Sequence, residues 1–165
     1  MDSKNQIRIA LIGLGCMGME HLQHILGTEK TLLAAVCDMN KEKTDKLAAE
    51  YEVKGFYHHG DLLKWGEFDG ILIATPHYHH TAAAIDALKK GFHLLIEKPV
   101  GVHSNDIKKM ISAYEQAKSS KSDLIFGAMF QQRTMGHWKK IKDLIDSGEL
   151  GKLVRTTWVI TDWFR

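Results

Sequence analysis

Gly13-Leu14-Gly15-Cys16-Met17-Gly18 has the spacing G-x-G-x-x-G, with which a backbone can wrap a pyrophosphate. The pattern alone recurs by chance, so its surroundings decide its meaning. It follows an apolar run at residues 7–12 and opens a segment with Leu22, Ile25 and Leu26 at helical spacing. In such a strand-turn-helix unit Gly13 permits the tight turn and Gly15 lets an anion approach with no Cβ in the way. Gly18 lets the helix pack closely on the sheet. The negative charge would rest on unpaired amides at the helix N-terminus. Asp38, twenty positions beyond Gly18, is placed to accept hydrogen bonds from an adenosine ribose. A 2′-phosphate there would face the carboxylate, and two such charges ~4 Å apart cost up to ~4 kcal/mol at an effective dielectric of ~20. Met39 and Asn40 follow Asp38, and Lys41 is a poorer phosphate partner than an arginine would be, so NAD is expected in preference to NADP.

Two further groups carry chemistry. His77-Tyr78-His79-His80 follows Ala74-Thr75-Pro76 at the end of an apolar run, where open α/β sheets bind their ligands. These histidines could line a cofactor crevice, start a solvated helix or ligate a metal. The metal is disfavoured because neither Cys16 nor Cys37 is near in sequence. His58 and His59 read as loop residues. Glu97-Lys98-Pro99 closes another apolar run, on the same sheet edge as the glycine loop. Lys98 there could hydrogen-bond a substrate hydroxyl and stabilise the oxyanion from which hydride leaves. The plain alternative is a surface lysine paired with Glu97.

Elements must hold these groups in place. Nearly continuous apolar runs at residues 7–12, 32–37, 71–74, 93–96 and 124–126, with a weaker one at 53–57, read as parallel strands covered on both faces. Between them lie helical stripes at Leu22, Ile25 and Leu26, at Ile85 and Leu88, and at Ile107, Met110, Ile111 and Tyr114. Ser104 is expected as an N-cap, Asp106 favours the helix start, and Gly27 and Gly91 read as helix stops. The fold class is α/β, a Rossmann doubly wound parallel sheet. After residue 128 the pattern changes. Trp138, Ile141, Leu144 and Ile145 form an amphipathic helix ended by Ser147-Gly148, followed by strict alternation from Val154 to Thr161. Such a strand lacks partners here. Residues 1–128 therefore read as a dinucleotide-binding domain, and 129–165 as the opening helix and strand of a truncated α+β domain. Residues 153–165 are expected to be mobile or to pair with another copy.

Composition is that of a globular domain: 44% hydrophobic and 25% charged residues over 165 positions, with a net charge of +2. The basic residues form no stripe, which argues against nucleic acid. No apolar run approaches a bilayer span, no secretory signal is present, and two cysteines cannot build a disulfide framework, so a cytoplasmic location with no membrane partner is expected.

Taken together, these motifs resemble the glucose-fructose oxidoreductase and inositol dehydrogenase family. The likeness runs from the glycine loop and Asp38 through residues 74–80 to Gly91 and Glu97-Lys98-Pro99, then to Gln131, Arg133 and residues 141–151. It implies that Glu97 and Lys98 border nicotinamide and substrate, with Lys98 catalytic. It also implies that Thr75, Pro76 and His80 line the cofactor pocket, with Arg133 near the nicotinamide end. His77 stands where family members often have Asn. The family's other acid-base residues, an Asp and a His of the second domain, would lie beyond Arg165. The expected activity is hydride transfer between NAD and a sugar, cyclitol or polyol, in a homo-oligomer formed through the second domain. A non-catalytic NAD(H) sensor is the alternative, and a methyltransferase, which shares a glycine-rich turn, is a third possibility.

Overall fold

The computed structural model describes residues 6–159. Six strands form one parallel sheet: β1 (Ile7–Ile12), β2 (Thr31–Cys37), β3 (Lys54–Phe56), β4 (Gly70–Ile73), β5 (His93–Ile96) and β6 (Phe126–Ala128). Their spatial order is β3-β2-β1-β4-β5-β6. The chain winds outward from β1 in one direction and then from β4 in the other, so the order reverses between β1 and β4. Ligands of open α/β sheets bind at that switch.

Because side chains alternate along a strand, each strand feeds two cores. Ala10 and Ile12 of β1 face one way with Ile71, Ile73, Leu94 and Ile96. They pack under α3 (His59–Trp65), α4 (His80–Lys89) and α5 (Ser104–Ser120). Leu11, Val36 and Leu72 face the other way, against α1 (Cys16–Leu26) and α2 (Lys41–Glu50). Burial on both faces explains why these strands are apolar without alternation.

Several boundaries differ from the sequence expectation. The last strand falls at Phe126–Ala128, not at 124–126, because Leu124 fills the core just before the ladder begins while Ile125 is exposed. On α1 the buried stripe is Gly18, His21, Leu22 and Ile25, so a histidine takes the place expected of Leu26, which is exposed. Ile111 likewise faces solvent, while Met110 is buried as expected and Ala113 is buried beside it. Ser104 is the first residue of α5 and not its cap. The cap position is His103, with no side-chain hydrogen bond, while Asp106 does lie in the first turn. Gly91 ends α4 in the left-handed region (φ +75°), as a helix-stop glycine should.

Contacts divide the chain into a first unit ending at Met129 and a second beginning at Phe130. In the second, α6 (Gly136–Asp146) buries no residue and stops before Gly148, whose φ is +75°. The alternating strand expected from Val154 is not formed as far as residue 159. A strand needs a neighbour to satisfy its ladder, and none lies alongside among the described residues. Trp158 packs edge-on against Trp138 instead, with ring centroids 5.0 Å apart. Ile160, Thr161 and Trp163 lie outside the described residues.

Candidate functional site: a dinucleotide crevice at the sheet switch point

The glycine loop leaves β1 at Ile12 and is pinned at once, as the Gly13 N–H donates to the Cys37 carbonyl at 2.8 Å. Gly13 has φ +94°, and a Cβ there would sit 2.5 Å from the Thr75 nitrogen. A Cβ on Gly18 would lie 1.9 Å from the Gly13 carbonyl oxygen. The fold therefore requires both glycines for its own packing. Gly15 is different: a Cβ there would meet nothing within 4 Å, and no side chain caps α1, which it precedes. Free amides beside open space suit a group from outside the protein, and an anion fits them best. Cys16 and Met17, the first residues of α1, are exposed next to that space.

A cavity of about 380 Å³ opens from this loop across the C-terminal ends of β2 and β4. Gly13, Gly15, Asp38, Ala74, Thr75 and Pro76 line it, as do Met39, Tyr57 and His79. The Thr75 hydroxyl is buried and has no hydrogen-bond partner among the described residues, which fits a polar atom of a bound dinucleotide. Asp38 is half-buried. Its Oδ2 accepts from the Leu14 N–H at 2.7 Å and its Oδ1 from the Asn40 N–H at 2.9 Å. Each oxygen keeps a lone pair for a ribose hydroxyl. Lys41 lies over the Tyr57 ring, 5.2 Å from its centroid, and the Tyr57 hydroxyl donates to Asp45 at 2.7 Å, which pushes the phenol's pKa up. Burial pushes the Cys37 thiol, beside Asp38, up to about 12, so it stays protonated and unreactive.

The histidines separate in role. His79 lines the cavity, while His77 stacks on Tyr78 with centroids 4.3 Å apart. His80 is buried, its Nε2 2.8 Å from the Thr75 carbonyl oxygen and its Nδ1 3.0 Å from that of Pro99. His58 and His59 belong to a helix start and not to a loop: His58 Nδ1 accepts from the Gly60 N–H, and His59 pairs with Asp86 at 3.0 Å. Among the described residues no three His, Cys, Asp or Glu gather as metal ligands.

Lys98 follows β5, with its side chain exposed and a cis peptide bond to Pro99. Glu97 does not pair with its ammonium. The Glu97 carboxylate is buried and takes the Lys98 backbone N–H at 2.9 Å and His21 Nε2 at 2.7 Å. Sequence reasoning passed over His21, although Gly18, His21, Leu22 and Ile25 share one helical stripe and a polar residue on a buried stripe needs a partner. Arg133 belongs to the second unit, where its guanidinium lies over Phe130, 5.3 Å from the ring centroid. A larger depression, about 720 Å³, opens where β5 begins and is lined by Lys89, Lys90, His93 and Lys121, away from the glycine loop and Asp38.

A glycine loop at a βα turn, an acidic residue after β2 and a reversal of strand order between β1 and β4 define a Rossmann dinucleotide-binding domain. The chain belongs to the oxidoreductase family with an NAD-binding Rossmann fold, whose model matches residues 7–121. It is 32% identical over 148 residues to the rhizopine catabolism protein MocA of Rhizobium meliloti, covering 90% of this chain and 45% of that one. It is 25% identical to myo-inositol 2-dehydrogenase of Thermotoga maritima, covering 88% and 42%. Among solved structures, myo-inositol 2-dehydrogenase of Lactobacillus plantarum superposes with a TM-score of 0.81 at 26% identity, over 90% of this chain and 43% of that one. Scyllo-inositol dehydrogenase of Lactobacillus casei, solved with bound NAD(H) and scyllo-inositol, superposes at 0.79 with 26% identity, over 88% and 42%. The chain thus spans less than half the length of these relatives. No described helix is long and apolar enough to cross a membrane.

Proposed function

We propose that this chain is the cofactor-binding part of an NAD-dependent dehydrogenase that moves hydride between nicotinamide and a hydroxyl-bearing carbon of a cyclitol, sugar or related polyol. The observation that carries this reading is that three groups follow strand ends on one edge of the sheet: the uncapped amides at the start of α1, the Asp38 carboxylate and the exposed Lys98. When bound, the dinucleotide supplies the hydride acceptor. The protein's own groups do the rest. The amides at the start of α1 hold the pyrophosphate, Asp38 accepts from the adenosine ribose, and the unpaired Thr75 hydroxyl bonds a polar atom of the ligand. Lys98 would donate to the substrate oxygen and hold its negative charge while the hydroxyl proton passes to a base supplied by the rest of the second domain, before hydride leaves the carbon. The relatives named for inositol oxidation support the substrate class.

The same proposal takes residues 1–128 as the dinucleotide domain and 129–165 as the beginning of a substrate domain, through which the protein would form a homo-oligomer in the cytoplasm. Arg133 would approach the nicotinamide end. A form extended by the rest of the second domain should reduce NAD in the presence of a cyclitol or polyol, read as nicotinamide fluorescence. Tight NAD binding with no turnover across inositols, sugars and alditols would favour a sensor. Binding of S-adenosylmethionine in place of NAD would reject the dinucleotide reading.

A further inference from the structure

Lys98 is exposed, yet the residues on both sides of it are held by buried histidines. Before it, Glu97 (4% exposed) receives His21 (5% exposed) at 2.7 Å on Oε1 and the Lys98 N–H at 2.9 Å on Oε2. After it, the Pro99 carbonyl meets Nδ1 of His80, which is 1% exposed and whose Nε2 faces the Thr75 carbonyl. His21 belongs to α1, the helix that the glycine loop opens. His80 starts α4, after a short 3-10 turn (His77–His79) that follows Thr75 and Pro76. The three-residue segment around Lys98 is therefore tied to both walls of the crevice.

Packing alone does not ask for this. A leucine at position 21 would continue the stripe of Leu22 and Ile25, and burying a carboxylate with an imidazole commonly contributes no more stability than apolar residues of the same volume. What the polar set does provide is direction. Glu97 is fixed through both oxygens, so the peptide plane entering Lys98 is fixed with it. The His80 ring stands between the Pro99 and Thr75 carbonyls, donating to one of them as a neutral imidazole and to both as an imidazolium, and so ties β5's end to β4's end. Neither histidine is exposed enough to meet a reacting atom.

We propose that His21 and His80 are positioning residues for Lys98, setting where its ammonium stands relative to the glycine loop on one side and the Thr75 turn on the other. The inference rests on Lys98 facing a bound dinucleotide and its substrate, as proposed above. It adds that the aim of Lys98 depends on buried polar side chains of two helices, α1 and α4, that do not themselves meet the reacting atoms.

The test uses the chain itself, with lysines labelled by reductive methylation using 13C-formaldehyde and the Lys98 signal assigned from its loss in Lys98→Arg. Adding NAD should move that signal. In His21→Leu, NAD affinity should stay within about threefold while the NAD-induced movement of the Lys98 signal falls by roughly half or more, and in His80→Leu the ligand-free Lys98 signal should be displaced. His21→Gln, whose amide can still donate to Glu97, should restore the response. In a form of the enzyme that turns over, His21→Leu should lower kcat roughly 10- to 100-fold with little change in the KM for NAD. Folded variants whose Lys98 signal and response match the parent would overturn the proposal. If the Leu variants do not fold, Glu97→Met, which removes both acceptor oxygens at nearly the same side-chain length, gives the same readout: a displaced Lys98 signal supports the proposal and an unchanged one overturns it. If NAD produces no response in the parent, the proposed function fails, and the ligand-free Lys98 signals of parent and variants still decide the positioning claim.

Discussion

Oδ2 of Asp38 accepts a hydrogen bond from the backbone N–H of Leu14 at 2.7 Å, tying the end of β2 to the middle of the glycine loop. One carboxylate thus shapes the pyrophosphate turn and still offers lone pairs to a ribose, so its replacement should act on both.

Asp38→Asn keeps an acceptor for Leu14 and removes the charge. It should lessen discrimination against NADPH and keep the Leu14 bond while giving up the bond from the Asn40 N–H. Asp38→Ser with Met39→Arg should narrow or reverse the preference for NADH, because half of a repulsion of up to ~4 kcal/mol is worth more than tenfold in affinity. The double variant also loses the Leu14 bond, so its NADH affinity should fall further than that of Asp38→Asn. Titration by nicotinamide fluorescence checks both, and equal affinities for NADH and NADPH in the unmutated chain would contradict the role of Asp38.

Gly15 and Gly18 should separate binding from folding. Gly18→Ala places a Cβ 1.9 Å from a backbone oxygen and should destabilise the fold by ~3 kcal/mol or more. Gly15→Ala meets no protein atom, so its folding cost should stay within ~1 kcal/mol, the scale of a weakened cap. Its NAD affinity should nevertheless drop by roughly tenfold or more, since the new methyl group fills the space left for a ligand. Denaturant melts set beside calorimetric titrations distinguish the two.

The cysteines should differ in chemistry. Cys37 is held protonated by burial, with its pKa pushed from 9.0 to about 12, whereas Cys16 is exposed at the start of α1. Iodoacetamide at pH 8 should label Cys16 and leave Cys37 untouched, and saturating NAD should slow labelling of Cys16. The native state holds the Cys37 proton more tightly than the unfolded chain does, so its contribution to stability is complete below pH 9.0 and declines as pH rises toward 12. Peptide mapping by mass spectrometry and melts across that range check each part.

Most of the sheet and the crevice were legible in the sequence because their signals are local. The glycine spacing, the strand before it and Asp38 twenty positions later need no tertiary information, and apolar runs mark strands buried on both faces. What escaped depends on contacts between distant segments. Leu124 is apolar because it enters the core, which drew the expected strand two residues too early. His21 reads as polar noise in α1 until β5 brings Glu97 to it across 76 residues. The strand expected from Val154 has a clear period, but a period names a face to be covered and cannot supply the neighbouring strand.

Lys98→Met should separate chemistry from binding. With the Glu97 and Pro99 anchors untouched, NAD affinity should remain within about threefold, while kcat/KM of an active, extended form should fall by roughly 100-fold or more, the pattern of a lost transition-state interaction. Steady-state kinetics beside a binding titration checks this, and undiminished turnover would remove Lys98 from the mechanism.

The most direct test is calorimetric titration of this 165-residue chain with NAD, with the Asp38→Asn and Gly15→Ala variants alongside. The expected result is saturable binding of one NAD per chain, weakened in both variants while their melting curves stay close to the parent's. No binding by the folded parent, or equal binding by all three proteins, would contradict the assignment of this crevice to a dinucleotide.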